Sequence, residues 1–136
     1  MEKIAVHLAL HGVIVLTISL VAGLLLYRAI LRKEDVASWH LVHASVAARA
    51  VMLLALAAII HLPALPLWLL STAAWLAIAF VWTSTSAMVI RAVSGQRGLR
   101  CEGSFPNRAI YILYGVGTIT IFPACAVLIA GLAMAL

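Results

Sequence analysis

The sequence predicts an all-α integral membrane protein: one membrane domain over residues 1–136, built as a bundle of four transmembrane helices. Three observations predict it. The chain is 66% hydrophobic and 10% charged, which is more apolar surface than a soluble domain of this size can hide but which a bilayer can solvate. The apolar residues fall into four runs, each reaching the ~20 residues that a span requires. Most of the charges and prolines lie between those runs. Lipid offers no partner to a free backbone N–H or C=O, so the runs must be helices, and nothing in the pattern suggests barrel strands.

Helix one is expected over residues 4–27, apolar except for His7, His11, Thr17 and Ser19. It opens like a signal peptide, but the run is long enough to span and lacks a convincing cleavage site, so it is kept as a mature helix. Arg28, Arg32, Lys33, Glu34 and Asp35 then mark an aqueous loop. Helix two is expected over residues 38–62, ended by Pro63 and Pro66, because proline disfavours helix at the residue before it. Helix three is expected over residues 67–93. The polar loop Ser94 to Arg108 follows, with Gly95, Gly98, Gly103 and Pro106, and helix four is expected over residues 109–133.

The net charge of +5 is no nucleic-acid signal, because the basic residues sit in short loops beside apolar runs. Cys101 and Cys125 fit neither a disulfide framework nor a CxxC metal site and read as free thiols. The loop after helix one carries Arg28, Arg32 and Lys33, and the loop after helix three is flanked by Arg91, Arg97, Arg100 and Arg108. Both lie on one side. By the positive-inside rule that side is cytoplasmic and both termini are outside, although arginines that bind a cofactor would give the same distribution.

The stretch from Trp39 to Arg49 holds the densest polar chemistry inside a span. His40 and His43 are three residues apart, roughly on one helix face, within the first turns of helix two on the basic side. Met88, near the end of helix three, returns to similar depth. A haem iron held by histidine fits here, with arginines of the basic loops near its propionates. The alternative is a pair of interfacial histidines beside Trp39, bonded to lipid or backbone. Arg49 lies about ten residues into helix two, near mid-membrane, with every acid of the chain terminal or in a loop. It must face the bundle interior, a cofactor carboxylate, a carbonyl cluster or a water-filled cavity.

His7 and His11 have the four-residue spacing that can clamp a metal, but no HExxH pattern accompanies them, and a packed polar pair is the competing reading. His61 is expected to cap or snorkel at the end of helix two. Thr83, Ser84, Thr85 and Ser86 either back-bond to their own helix or line a polar pocket. Ala44 with Ala48, Ser19 with Gly23, and Gly115 with Gly117 permit close helix approach, and Pro123 predicts a kink in helix four.

The order of these features resembles the styrene oxide isomerase family. His11-Gly12 is similar to the family's His-Gly in helix one. Trp39-x-x-x-His43 resembles its Trp-x-x-x-His at the start of helix two. Ser94-x-x-Arg97-Gly98-Leu99 resembles its Ser-Pro-Asn-Arg-Gly-Leu, and a Gly, Phe and Pro loop, here Gly103 to Pro106, then leads into helix four. The resemblance implies a four-helix membrane protein that binds haem b between the subunits of a homotrimer. It also implies that His43 is the axial ligand to iron, that the ferric haem is a Lewis acid on an epoxide oxygen, and that an aldehyde is the product. Arg97 and His40 are then candidate cofactor contacts, Arg49 and Met88 candidate catalytic residues beside a small hydrophobic ligand, and a bacterial-type inner (cytoplasmic) membrane the location.

The chain also departs from the family. Six residues after the axial histidine the family has asparagine, where this chain has Arg49; near the end of helix three it has tyrosine, where ungapped counting puts Met88. The first loop is shorter, and the family's basic residues favour cytoplasmic termini. Two further readings therefore stand beside an isomerase. One is a haem-binding electron carrier or gas sensor in which Met88 or His40 supplies a second iron ligand. The other is a haem-free membrane scaffold.

Overall fold

Four helices follow from the four apolar runs: α1 (Glu2–Arg32), α2 (Val36–Ile59), α3 (Leu67–Ser94) and α4 (Phe105–Ala133). The structure, a computed structural model, describes residues 1–34 and 36–136, so the expectation for Asp35 lies outside the described residues. All four helices are long and apolar enough to cross a membrane, and the described residues contain no strand. The chain is thus an all-α, multi-pass membrane protein.

The helix ends differ from the apolar runs for local reasons. α1 has 31 residues, about 46 Å at ~1.5 Å per residue, against a hydrocarbon core of ~30 Å. It therefore runs on past Tyr27 with Arg28 and Arg32 exposed, and closes on Lys33, whose left-handed backbone (φ 56°) aims its N–H at the carbonyls of Ala29 and Ile30. α2 stops at Ile59, and the Leu62 N–H folds back to the Ile59 carbonyl at 2.9 Å ahead of Pro63. α4 starts at Phe105, inside the expected loop. Pro106 lies in its first turn, where the missing N–H has no helical partner to lose. The helix continues through Pro123.

Because the helices are apolar all round, burial rather than hydrophobicity shows which face meets which. α1 packs along α2, α4 packs along α3, and α3 also touches both α2 and α1, which makes it the central helix. Its buried positions accordingly cover two faces, among them Leu70, Ala73, Ala77, Val81, Thr85 and Met88. On α4 only Ile110, Gly117, Ala124 and Gly131 are buried, one every seventh residue, a single seam of the kind that keeps two helices in register. A Cβ at Gly117 would lie 3.0 Å from Thr83 Oγ1 of α3, so that glycine sets the approach of the two helices. Gly115 faces open space, and Ala44 and Ala48 are exposed, so none of the three is buried in a helix seam of the chain.

The loop between α3 and α4 is held by one side chain. Asn107 accepts the Gly98 N–H at 2.9 Å and donates to the carbonyls of Arg100 at 2.8 Å and Glu102 at 2.7 Å. Gly98 has φ 64° and is buried; a Cβ there would lie 2.7 Å from Ile110 Cβ. The loop therefore seats on α4 only with glycine at this position.

Candidate functional site

His43 turns toward α1. Its Nδ1 lies 2.8 Å from the backbone carbonyl oxygen of Ser19 and 3.3 Å from Ser19 Oγ, while Ser19 Oγ donates to the carbonyl of His43 at 2.8 Å. A carbonyl can only accept, so Nδ1 carries the hydrogen, and in the neutral ring Nε2 is then the lone-pair nitrogen. The imidazole gets this close because Gly23, one turn beyond Ser19, has no side chain. A Cβ there would sit 3.0 Å from His43 Nδ1 and 3.1 Å from Cε1. Ser19 and Gly23 are legible in the sequence as a small-residue pair; that the pair cradles a histidine is not.

Arg49 faces the other way, toward α3 and α4. Its Nη1 donates to the Ser45 carbonyl at 2.8 Å and to Met88 Sδ at 3.4 Å. The guanidinium lies over the Phe80 ring, with Cζ 5.7 Å from the centroid, and Tyr114 of α4 is within its electrostatic reach. Its Nε is buried with no partner. The ion pair among the described residues is the exposed Arg32–Glu34 contact at 3.9 Å, so no described carboxylate neutralises Arg49. The sequence expectation that Arg49 faces the interior of the bundle and lacks an acid describes its surroundings here; the contact with Met88, 39 residues away, has no local signal.

The remaining candidates are spread out. His40 is exposed and borders a shallow groove with Leu41 and Arg91, so its surroundings differ from those of His43 although the two share one end of α2. Arg97 is exposed on the α3–α4 loop, in a groove with Arg100, Glu102 and Asn107. Within one chain, then, Arg49 and Met88 are brought together, while His43, His40 and Arg97 each have separate neighbours.

Between α1 and α3, near the depth of Arg49, Trp82 Nε1 donates to His11 Nδ1 at 3.0 Å, and the neighbouring Gly12 lies against Ala50. The His11 ring packs edge-on to Trp82, and the His7 ring lies 5.2 Å from that of Trp75. With Nδ1 accepting, neutral His11 keeps its hydrogen on Nε2 and has no free lone pair for a metal. Among the described residues no three His, Cys, Asp or Glu side chains converge. Thr83 and Ser84 back-bond to the carbonyls of Ala79 and Phe80 at 2.8 and 2.6 Å, whereas the hydroxyl of buried Thr85 has no partner.

A span-length α-bundle with a carbonyl-oriented histidine in one helix pair and a half-buried cation in another defines a polytopic membrane protein with polar sites inside the bilayer. Residues 4–133, nearly the whole chain, match the family model described as styrene oxide isomerase, and the protein belongs to that family. The comparisons with curated proteins and with solved structures returned no match.

Proposed function

We propose that the chain is a membrane haem-b protein that isomerises small hydrophobic epoxides to aldehydes, with His43 as the protein ligand to iron. The observation that carries this reading, beside family membership, is the hydrogen bond from His43 Nδ1 to the Ser19 carbonyl. Metal-bound histidines donate their second nitrogen to a carbonyl or carboxylate in this way, which fixes the tautomer and ring orientation. Haem suits the donor set, because the porphyrin supplies the in-plane ligands and the protein needs to provide only one side chain. In this reading Arg97 and His40 are cofactor contacts at the basic end. The chain acts as a homotrimer with haem between subunits, in a bacterial-type inner membrane.

When bound, ferric haem supplies a Lewis acid for the epoxide oxygen. The chain supplies the surroundings. Apolar helices keep water from the opened epoxide. Arg49 donates a hydrogen bond to a ligand oxygen, and Met88 lines the same side. The bond from His43 Nδ1 to the Ser19 carbonyl holds the ring with Nε2 as the nitrogen available to iron.

The test is an absorption spectrum and pyridine haemochrome assay of the detergent-purified protein. A five-coordinate high-spin ferric spectrum, aldehyde formed from styrene oxide, and loss of haem in His43→Ala are expected. Stoichiometric haem retained by His43→Ala would refute the ligand, and absence of a Soret band would leave the haem-free scaffold. A second reading, a haem-binding non-isomerase, is favoured by one observation. The positions where the family has Asn and Tyr hold a cation and a thioether in contact with each other. A haem spectrum without aldehyde formation would select it.

A further inference from the structure

We propose that Arg49 anchors one carboxylate of a largely apolar ligand, and that the Met88 thioether is the placeholder acceptor which this carboxylate displaces. The proposal rests on the reading above that Arg49 and Met88 face the ligand, and it specifies what that ligand carries. Arg49 sits in the middle of α2, a span of 24 residues. A cation at that depth is costly unless paired or hydrated. Both of its hydrogen-bond acceptors are neutral, the Ser45 carbonyl and the Met88 sulfur. Its Nε is buried and unpartnered, and no carboxylate among the described residues lies within salt-bridge distance.

The geometry points to an acceptor, and best to an anionic one. Arginine has donors and no acceptor, so it cannot satisfy an alcohol hydrogen or an amide N–H. With Nη1 already engaged, the other edge presents the Nε and Nη2 hydrogens side by side, the fork that matches two carboxylate oxygens. The thioether is a weak acceptor on a flexible, unbranched side chain, so Met88 yields readily to a charged oxygen. Phe80, whose ring the guanidinium covers, holds the cation in place, and the apolar helix walls suit the remainder of such a ligand. An asparagine at this position, as in the family pattern, suits a neutral oxygen; arginine shifts the preference toward a carboxylate-bearing apolar molecule. The same chemistry is offered by a haem propionate, and the experiment separates the two sources.

The full-length protein, as purified in detergent, is titrated calorimetrically with 4-phenylbutanoate and with the neutral 4-phenylbutanamide. Haem-depleted protein is titrated separately with haem and with haem dimethyl ester, whose propionates are blocked. The expected result is a preference of about tenfold for the charged member of one pair, lost in Arg49→Gln. Preference within the phenylbutanoate pair assigns the anchor to a ligand; preference within the haem pair assigns it to a propionate. Equal affinities within both pairs for the wild-type protein would overturn the proposal, as would a preference that survives in Arg49→Gln. Should Arg49→Gln fail to fold, the neutral Arg49→Met replaces it, with the same expected loss and the same overturning result. The phenylbutanoate titration needs no iron, so a failure of the haem reading, seen as a missing Soret band, leaves it intact.

Discussion

Arg49 Nη1 donates to Met88 Sδ at 3.4 Å, so the two positions that the resemblance sets against the family's asparagine and tyrosine touch each other. Residues in contact couple, and changes at them need not add. Arg49→Asn alone leaves Met88 without its donor, and Met88→Tyr alone sets a phenol against a half-buried cation. The double variant Arg49→Asn/Met88→Tyr recreates the neutral pair. Its kcat/KM for aldehyde formation from styrene oxide should exceed the value expected from the product of the single effects by about tenfold, a coupling near 1.4 kcal/mol. Additive single effects would show that the two positions act independently.

Gly23 and Ser19 make separable contributions to His43. Adding a methyl at Gly23 places it 3.0 Å from Nδ1, so Gly23→Ala must shift the ring by a few tenths of an ångström and Gly23→Val by more. Since the second contact of a metal-bound histidine is worth about 10–100-fold in metal affinity, the haem-to-protein ratio should fall in the order wild type, Ala, Val. Ser19→Ala removes the hydroxyl bond to the His43 carbonyl and the longer 3.3 Å contact with Nδ1, but keeps the 2.8 Å Nδ1 bond, which uses the backbone. It should cost about 1 kcal/mol of stability and keep haem. Haem loss in Ser19→Ala with retention in Gly23→Val would reverse this division of roles.

The spans and the basic loops were legible in the sequence, because a run of apolar residues has few options in lipid and charges must leave it. What the sequence hid follows from the same cause. All four helices are apolar on every face, so periodicity cannot say which face of α2 meets α1 and which meets α3. The Ser19–His43 and Arg49–Met88 contacts join residues 24 and 39 apart, set by helix packing rather than by local pattern. His40 and His43 look equivalent by spacing; the resemblance singles out His43, and the gap at Gly23 shows how that ring is seated against Ser19. The start of α4 was hidden because Phe105 and Asn107 flank a proline in a polar stretch, and Asn107 reads as one more loop residue until its three bonds are seen.

Two glycines in the α3–α4 loop have left-handed backbones but different surroundings. Gly95, with φ 68°, faces open space, whereas Gly98, with φ 64°, is backed by Ile110. Gly95→Ala should carry only the conformational penalty, roughly 1–2 kcal/mol. Gly98→Ala adds overpacking and should cost about 2–5 kcal/mol in all. Thermal unfolding in one detergent would rank them, and equal losses would mean that the Gly98–Ile110 contact relaxes freely.

Trp82 is a donor only, so its bond to His11 Nδ1 fixes the neutral histidine with hydrogen on Nε2. Trp82→Phe should remove that bias at a cost of about 1–3 kcal/mol, since a half-buried acceptor loses its partner. Nitrogen-15 spectra of labelled histidine would show the Nε2–H tautomer in the wild type and a mixture in the variant. A wild-type ring protonated at Nδ1 would contradict the bond.

Orientation is testable through Cys101, which is exposed in the loop that carries Arg97 and Arg100. Short loops rich in Lys and Arg are retained in the cytoplasm, so this thiol should resist a membrane-impermeant maleimide in intact cells and react in inverted vesicles. Cys125 lies within the α4 span, where a membrane-impermeant maleimide does not reach it. Cys125→Ser should therefore leave the labelling pattern unchanged. Rapid labelling of Cys101 in intact cells would put the basic loops outside and both termini in the cytoplasm, with the arginines then selected by what they bind rather than by topology. The same measurement fixes the sidedness of His43, which enters α2 from that face, and so the side from which a haem at His43 would be loaded.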